Sequence, residues 1–186
     1  FRYSLKDGYR QKGPMIIGWL GSSSTLKYLK SLLPTFEKLY QEYPHFQLKM
    51  VCDHFLESEY VPMIKKRWSS EEEESDLKSF DVGIMPLSDD LWSRGKCGLK
   101  ILQYYSVGVP VVCTPVGVNR DLVEDGVNGF WACNEEEWKK GLLKLMKEEE
   151  LKKEMGMKGR KIIERVYSLK VNAPRILDVL SKVSTL

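Results

Sequence analysis

The chain has 186 residues, a net charge of +3, 42% hydrophobic residues and 30% charged ones. That length and balance suit one globular domain with a sizeable core, and so small a charge gives no electrostatic case for nucleic acid as a partner. No apolar run has the length of a membrane span, no secretory signal opens the chain, and its start at Phe1 reads as that of a piece of a longer protein, from which a signal or anchor could have been removed.

In chain order, MIIGWLGSSS (Met15 to Ser24) reads as a buried strand running into a loop of small residues. Leu26, Leu29, Leu33, Phe36 and Tyr40 then recur at helical spacing. Pro34 is expected to kink or break that helix, because it has no N–H to donate. FQLKMVC (Phe46 to Cys52) is a second strand, and YVPMIKKRW (Tyr60 to Trp68) a weaker third with Pro62 near its start. SSEEEESDLKSF follows, in which Ser69 or Ser70 caps a helix whose first turn carries glutamates, the favoured sign there. The acid run is read as a solvated face.

DVGIMPL (Asp81 to Leu87) and VPVVCTP (Val109 to Pro115) are short buried strands, and GFWA (Gly129 to Ala132) a last, edge strand. A helix begins near Gly98. Another opens with a capping box, Asn134 with Glu137 three residues on, and presents Trp138, Leu142, Leu145 and Met146 on one face. Two further helices end the chain. Strands alternating with helices predict an α/β fold, a Rossmann-like doubly wound parallel sheet, in a single domain over 1–186. Such sheets bind ligands beyond the carboxyl ends of their strands. The loops after strands are therefore where function is sought.

One of these loops is unusual in charge. From Leu91 to Arg120 there is no Asp or Glu, and every charged residue is a cation: Arg94, Lys96, Lys100 and Arg120. A cation at a helix start costs roughly 0.3–1 kcal/mol unless an anion sits there too. Free N–H groups after Gly98, with Lys96 and Lys100 beside them, would hold such an anion. Gly95 and Gly98 would let the backbone come close. The small-residue loop Gly21 to Thr25 is a second candidate, with Lys27 one turn into its helix. Neither a Walker A loop nor a G-x-G-x-x-G motif occurs, which speaks against a dinucleotide-binding oxidoreductase.

Other candidates carry blander readings. Trp68 and Trp92 lie near strand ends and could flank a flat ligand, although partly buried packing is the commoner role of each. Asp89 and Asp90 read as a turn device rather than an acid–base pair. His45 and His54 are too isolated for a metal site, and none is expected. Cys52, Cys97, Cys113 and Cys133 contain no C-x-x-C pair and read as reduced, buried thiols.

DVGIMPL, then GKCGLKILQYYSVGVPVV (Gly95 to Val112), then TPVGVNRDLVEDGVNGF (Thr114 to Phe130) together resemble the carboxyl-terminal half of a family 4 (group 1) glycosyltransferase. The likeness runs from about Met15 to about Tyr167. It implies one half of the two-domain GT-B architecture, with about 1–13 as an interdomain linker and the acceptor-binding domain absent from this chain. It implies a retaining, metal-independent hexosyltransferase that needs no cofactor and takes a UDP-, GDP- or ADP-sugar as donor. The fragment alone should transfer no sugar.

By position Lys27 falls at the family's lysine for the leaving diphosphate, and Lys96 and Lys100 would supply the positive charge that the family's arginine gives elsewhere. Gly21, Ser22, Gly98 and Leu99 would line the diphosphate's site, and Gly95, Gln103 and Trp68 would face sugar, ribose and base. The family places glutamates eight apart where this chain has Gly95 and Gln103, and an arginine where it has Ser22. A non-catalytic nucleotide-binding or scaffolding module is therefore the alternative. The resemblance implies a cytoplasmic protein, with the inner membrane face reached, if at all, through the absent half.

Overall fold

The computed structural model describes residues 3–8 and 13–184. Six parallel strands form one sheet in the order β3-β2-β1-β4-β5-β6. They are β1 (Met15–Leu20), β2 (Phe46–Val51), β3 (Met63–Lys66), β4 (Val82–Met85), β5 (Val111–Cys113) and β6 (Gly129–Trp131). The helices are α1 (Leu26–Glu42), α2 (Glu73–Lys78), α3 (Leu91–Arg94), α4 (Leu99–Ser106), α5 (Asn119–Leu122), α6 (Glu135–Lys147), α7 (Glu149–Ile162) and α8 (Leu169–Ser184). The expected Rossmann-like sheet is observed, with β3 and β6 at its edges.

Side chains alternate across a strand, so one continuous apolar run feeds two cores. Ile17 and Trp19 of β1 pack with Leu29, Phe36 and Leu39 of α1 and with Leu142 and Leu145 of α6. Ile16 and Leu20 face the other way, among Leu77 of α2 and Ile101, Tyr104 and Tyr105 of α4. α1 runs unbroken through Pro34, contrary to the expected break. Its buried residues lie on both sides of the proline, and that packing outweighs the one hydrogen bond lost. The capped-helix reading of the acid run needs a similar correction. The Ser69 hydroxyl accepts from the Glu72 amide at 3.3 Å, one turn ahead of α2, while Glu73 and Asp76 are buried rather than solvated.

Two of the four thiols, Cys97 and Cys133, are exposed, whereas Cys52 and Cys113 are buried as expected. Within the segment expected as a linker, residues 1–2 and 9–12 lie outside the described residues. Residues 3–8 are docked on the domain: the Lys6 amide donates to Val107 O at 3.1 Å, and the Ser4 hydroxyl to Glu74 at 2.8 Å.

The sheet reverses its winding between β1 and β4. Their ladder pairs Ile17 with Val82 and Gly18 with Gly83 and goes no further. Beyond it, the Tyr104 hydroxyl bridges the two strands, accepting from the Leu20 amide at 3.1 Å and donating to Ile84 O at 3.2 Å. Burial pushes the Tyr104 pKa up, so the phenol keeps the proton that it donates. Gly83 makes this possible, because a Cβ there would stand 2.4 Å from the Tyr104 ring. Tyr104→Phe leaves both backbone groups without this partner. It should cost about 1–3 kcal/mol of stability, read as a lower urea midpoint at unchanged slope. An unshifted midpoint would mean that the hydroxyl does not anchor α4.

Candidate functional site

A cavity of about 330 Å³ opens at the carboxyl ends of β1 and β4. Its floor is Trp19, Leu20 and Met85, and the run Gly95 to Lys100 forms one wall. The size falls in the range of small-ligand pockets, and the place is the switch point at which such sheets take ligands.

The wall is built by local rules. Asp90 caps the short helix α3, its Oδ1 accepting from the Ser93 amide at 2.7 Å. Asp89 holds Arg94 through both carboxylate oxygens, at 2.6 and 3.1 Å. The two aspartates are thus turn devices, as expected, and Arg94 is committed to an ion pair. The buried Ser93 hydroxyl donates to Tyr28 Oη at 3.0 Å, tying α3 to α1. Gly98 then adopts the left-handed conformation, φ 67°, and α4 starts. Among the described residues, the amides of Gly98, Leu99 and Lys100 have no acceptor.

Three lysines surround this helix start. Lys27 Nζ lies 5.0 Å and Lys96 Nζ 5.5 Å from the centre of the Tyr28 ring, so one ring serves two cations. Lys100 is half-buried at the cavity wall. Burial pushes its pKa below the ordinary lysine value, against the opposing field of Glu73. A charge placed where it is poorly solvated gains more than a surface lysine from an anion brought to it. Leu91 and Trp92, on α3, are 86% and 76% exposed. Trp92 is therefore no packing residue, contrary to the commoner role.

The small-residue loop after β1 behaves differently. Its Gly21 amide donates to Val51 O at 3.1 Å and its Ser22 amide to Thr25 Oγ1 at 3.1 Å. The Ser23 amide donates to Asp53 at 2.7 Å. Hydrogen bonds from Cys52 and Ser23 hold the Asp53 carboxyl far below the usual carboxylate range. This loop already has its anion. The backbone donors expected of Gly21 and Ser22 are committed within the protein. The structure gathers Gly95, Lys96, Gly98, Leu99 and Lys100 around one cavity and leaves Gly21, Ser22, Lys27, Trp68 and Gln103 outside its lining. Thr25, at the loop's end, does line it.

Gln103 and Trp68 meet through a residue that the acid run concealed. Glu73 Oε1 accepts from Gln103 Nε2 at 2.9 Å, and Oε2 from Trp68 Nε1 at 2.6 Å; the Tyr3 hydroxyl also donates to it. Burial pushes the Glu73 pKa up. The three donors and the field of Lys100 outweigh that and hold it below the ordinary value. Gln103 Oε1 is buried with no hydrogen-bond partner among the described residues. Among those residues, no group of three or more His, Cys, Asp or Glu could hold a metal ion. Nor is any of their helices long and apolar enough to cross a membrane.

A family model described as Glycosyl transferases group 1 matches residues 14–148. A search of curated proteins gives no match. Among solved structures, the fold is similar to the C-terminal domain of the group 1 glycosyl transferase LpcC from Francisella tularensis. The TM-score is 0.69 at 14% identity, over 88% of this chain and 97% of that one. It is similar to Anabaena Alr3699/HepE, solved in complex with UDP-glucose, with a TM-score of 0.72 at 17% identity, over 91% of this chain and 49% of that one. S. aureus TarM, solved as a mutant with UDP among its ligands, gives a TM-score of 0.70 at 17% identity, over 95% and 38%. At these identities the likenesses establish the fold alone. The chain spans less than half the length of HepE and of TarM.

Proposed function

Because this chain belongs to the group 1 glycosyl transferases, we propose that it is the carboxyl-terminal, donor-binding half of a retaining, metal-independent hexosyltransferase of family 4. The donor is a nucleoside-diphospho-sugar. A UDP-sugar is the first to test, since HepE and TarM were solved with UDP or UDP-glucose. A separate amino-terminal domain supplies the acceptor site, and the protein works in the cytoplasm. The fragment alone transfers nothing.

The observation that carries this reading is the start of α4: three amides without acceptors converge with Lys96 and Lys100 on the switch-point cavity. Sugar transfer leaves negative charge on the departing diphosphate. Preorganised N–H groups and ammonium groups stabilise that charge without a metal. Lys27, beside the same Tyr28 ring as Lys96, adds to the field. Gly98 and Leu99 give backbone donors, and Gln103 and Trp68 take the ribose and the base. With Gly95 and Gln103 in place of the family's glutamates, the sugar has no side chain at position 95 to meet it. That favours a second reading, a nucleotide-binding module without transfer. Donor turnover by the protein with both domains separates the two.

The test of binding is calorimetric titration of the chain with UDP, GDP and ADP, against uridine. One diphosphate should bind, uridine should bind at least about tenfold more weakly, and EDTA should change neither. Binding abolished by EDTA, or absent for all three diphosphates, would overturn the lysine-and-amide account.

A further inference from the structure

Glu73 belongs to a run of four glutamates, Glu71 to Glu74, yet it is 7% exposed. Burying a carboxylate is costly unless donors surround it. Its donors are drawn from three separate parts of the chain: Tyr3 in the amino-terminal segment, Trp68 after β3, and Gln103 on α4. Lys100, one helical turn before Gln103, lines the cavity and adds its field to the same carboxylate. Glu73, Trp68 and Gln103 do not themselves line the cavity; the cluster is linked to it by Lys100, one turn from Gln103 on the same α4 face.

Its geometry restricts Gln103. An ionised carboxylate accepts and does not donate, so the Gln103 amide has a single favourable orientation beside it: Nε2 toward Glu73, Oε1 away. That oxygen finds no donor among the described residues, in a side chain that is itself 7% exposed. Buried acceptors normally have partners. The complement of a lone carbonyl oxygen is an N–H or O–H donor, and a ribose offers O–H donors.

We propose that Glu73 is a positioning residue for the nucleoside end of the donor. By holding Gln103 Nε2 it makes Oε1 of that amide a fixed acceptor for a ribose hydroxyl, and by holding Trp68 Nε1 it sets the indole beside the base. This rests on the donor-binding reading above and adds to it a residue and a polarity. Gln103 accepts from the ribose and does not donate to it. The pair also tolerates only one negative charge. A second carboxylate at position 103 would stand within hydrogen-bonding distance of the first, and like charges so close cannot both be held.

Calorimetric titration with UDP, 2′,3′-dideoxy-UDP and inorganic pyrophosphate tests this. Wild type should prefer UDP over the dideoxy form by about fivefold or more, the scale of one hydrogen bond. In Glu73→Gln the partner at position 73 both donates and accepts, so the Gln103 amide can take either orientation. The preference should fall below about twofold while pyrophosphate binding stays within about threefold of wild type. Gln103→Glu should lose UDP. The reciprocal pair Glu73→Gln with Gln103→Glu restores one carboxylate and one amide, and should regain the preference. That rescue is not expected if Glu73 only packs.

Full preference retained in Glu73→Gln would overturn the proposal. So would a parallel loss of UDP and pyrophosphate binding with a lowered melting temperature, or a folded reciprocal variant without the preference. Wild type that binds UDP but ignores the ribose hydroxyls would remove this inference and leave the diphosphate site standing. Wild type that binds neither UDP nor pyrophosphate would overturn the donor reading and this inference with it.

Discussion

Lys100→Met should weaken UDP binding by about ten- to a hundredfold and at the same time raise the melting temperature of the unliganded chain. The first effect follows from a charge-assisted contact of about 1.5–3 kcal/mol to the diphosphate. The second follows from burial. Lys100 carries its charge where solvation is poor, and its pKa is pushed down for that reason first. The groups acting on it are Glu73, Cys52 and Cys97, whose charges raise its pKa, and Lys96, which lowers it. A lysine with a depressed folded pKa destabilises the fold below that pKa, where it is charged. The penalty is relieved as pH rises through the folded pKa toward the unfolded one. The thermal advantage of Lys100→Met should therefore be largest near neutral pH and shrink as pH climbs toward the ordinary lysine value. Melting curves of both proteins across that range, with and without UDP, read both effects. A variant less stable than wild type at neutral pH, or one that binds UDP as well, would remove Lys100 from the proposed role.

Gly98→Val should be the most damaging single change near the cavity. A β-branched residue at φ 67° is strained by about 1–2 kcal/mol. Its Cβ would also stand 2.4 Å from Leu122 Cδ1 and 3.0 Å from Val118 Cγ1, so α5 must move as well. Overpacking of that kind adds about 1–3 kcal/mol. A loss of about 2–5 kcal/mol in urea unfolding is expected, with UDP binding lost because the first turn of α4 shifts. Gly95→Ala is the contrasting case. A Cβ at Gly95 meets nothing nearer than the Trp92 carbonyl at 3.6 Å, and the backbone there is right-handed. Its cost should stay within about 0.5 kcal/mol. Equal costs for the two glycines would mean that the left-handed start of α4 is not what places the cavity wall.

The contrast between these glycines also marks what could be read before the fold was known. Strands such as MIIGWL and VVC announce themselves because burial on both faces leaves an unbroken apolar run. The start of α4 was legible too, since a glycine and two lysines with no acid nearby leave a local pattern. The four-residue helix α3 reads as loop in the sequence, because Leu91 to Arg94 is too short to show any period. The roles of Asp53 and Glu73 are hidden in the sequence for a different reason. Asp53 reaches Ser23 across thirty residues and Glu73 reaches Gln103 across another thirty, and pairings of that range have no spacing signature. The acid run even points the wrong way, because Glu71 and Glu72 do face solvent and Glu74 is half-exposed. What separates Glu73 is the helix that the fold sets opposite it.

The phenol between β1 and β4 makes one backbone proton a gauge of something outside its own strand. The Leu20 amide is closed by the Tyr104 hydroxyl. Its proton can therefore exchange with solvent only when α4 lifts from the sheet. An amide's exchange rate reports the opening that exposes it. Exchange at Leu20 thus times the movements of α4, whereas exchange at Ile17 or Gly18, held in ladders on both sides, times the opening of the sheet. Anything that settles on the first turn of α4 must slow the one clock before it touches the other. The centre of the sheet carries its own record of whether the cavity beside it is occupied.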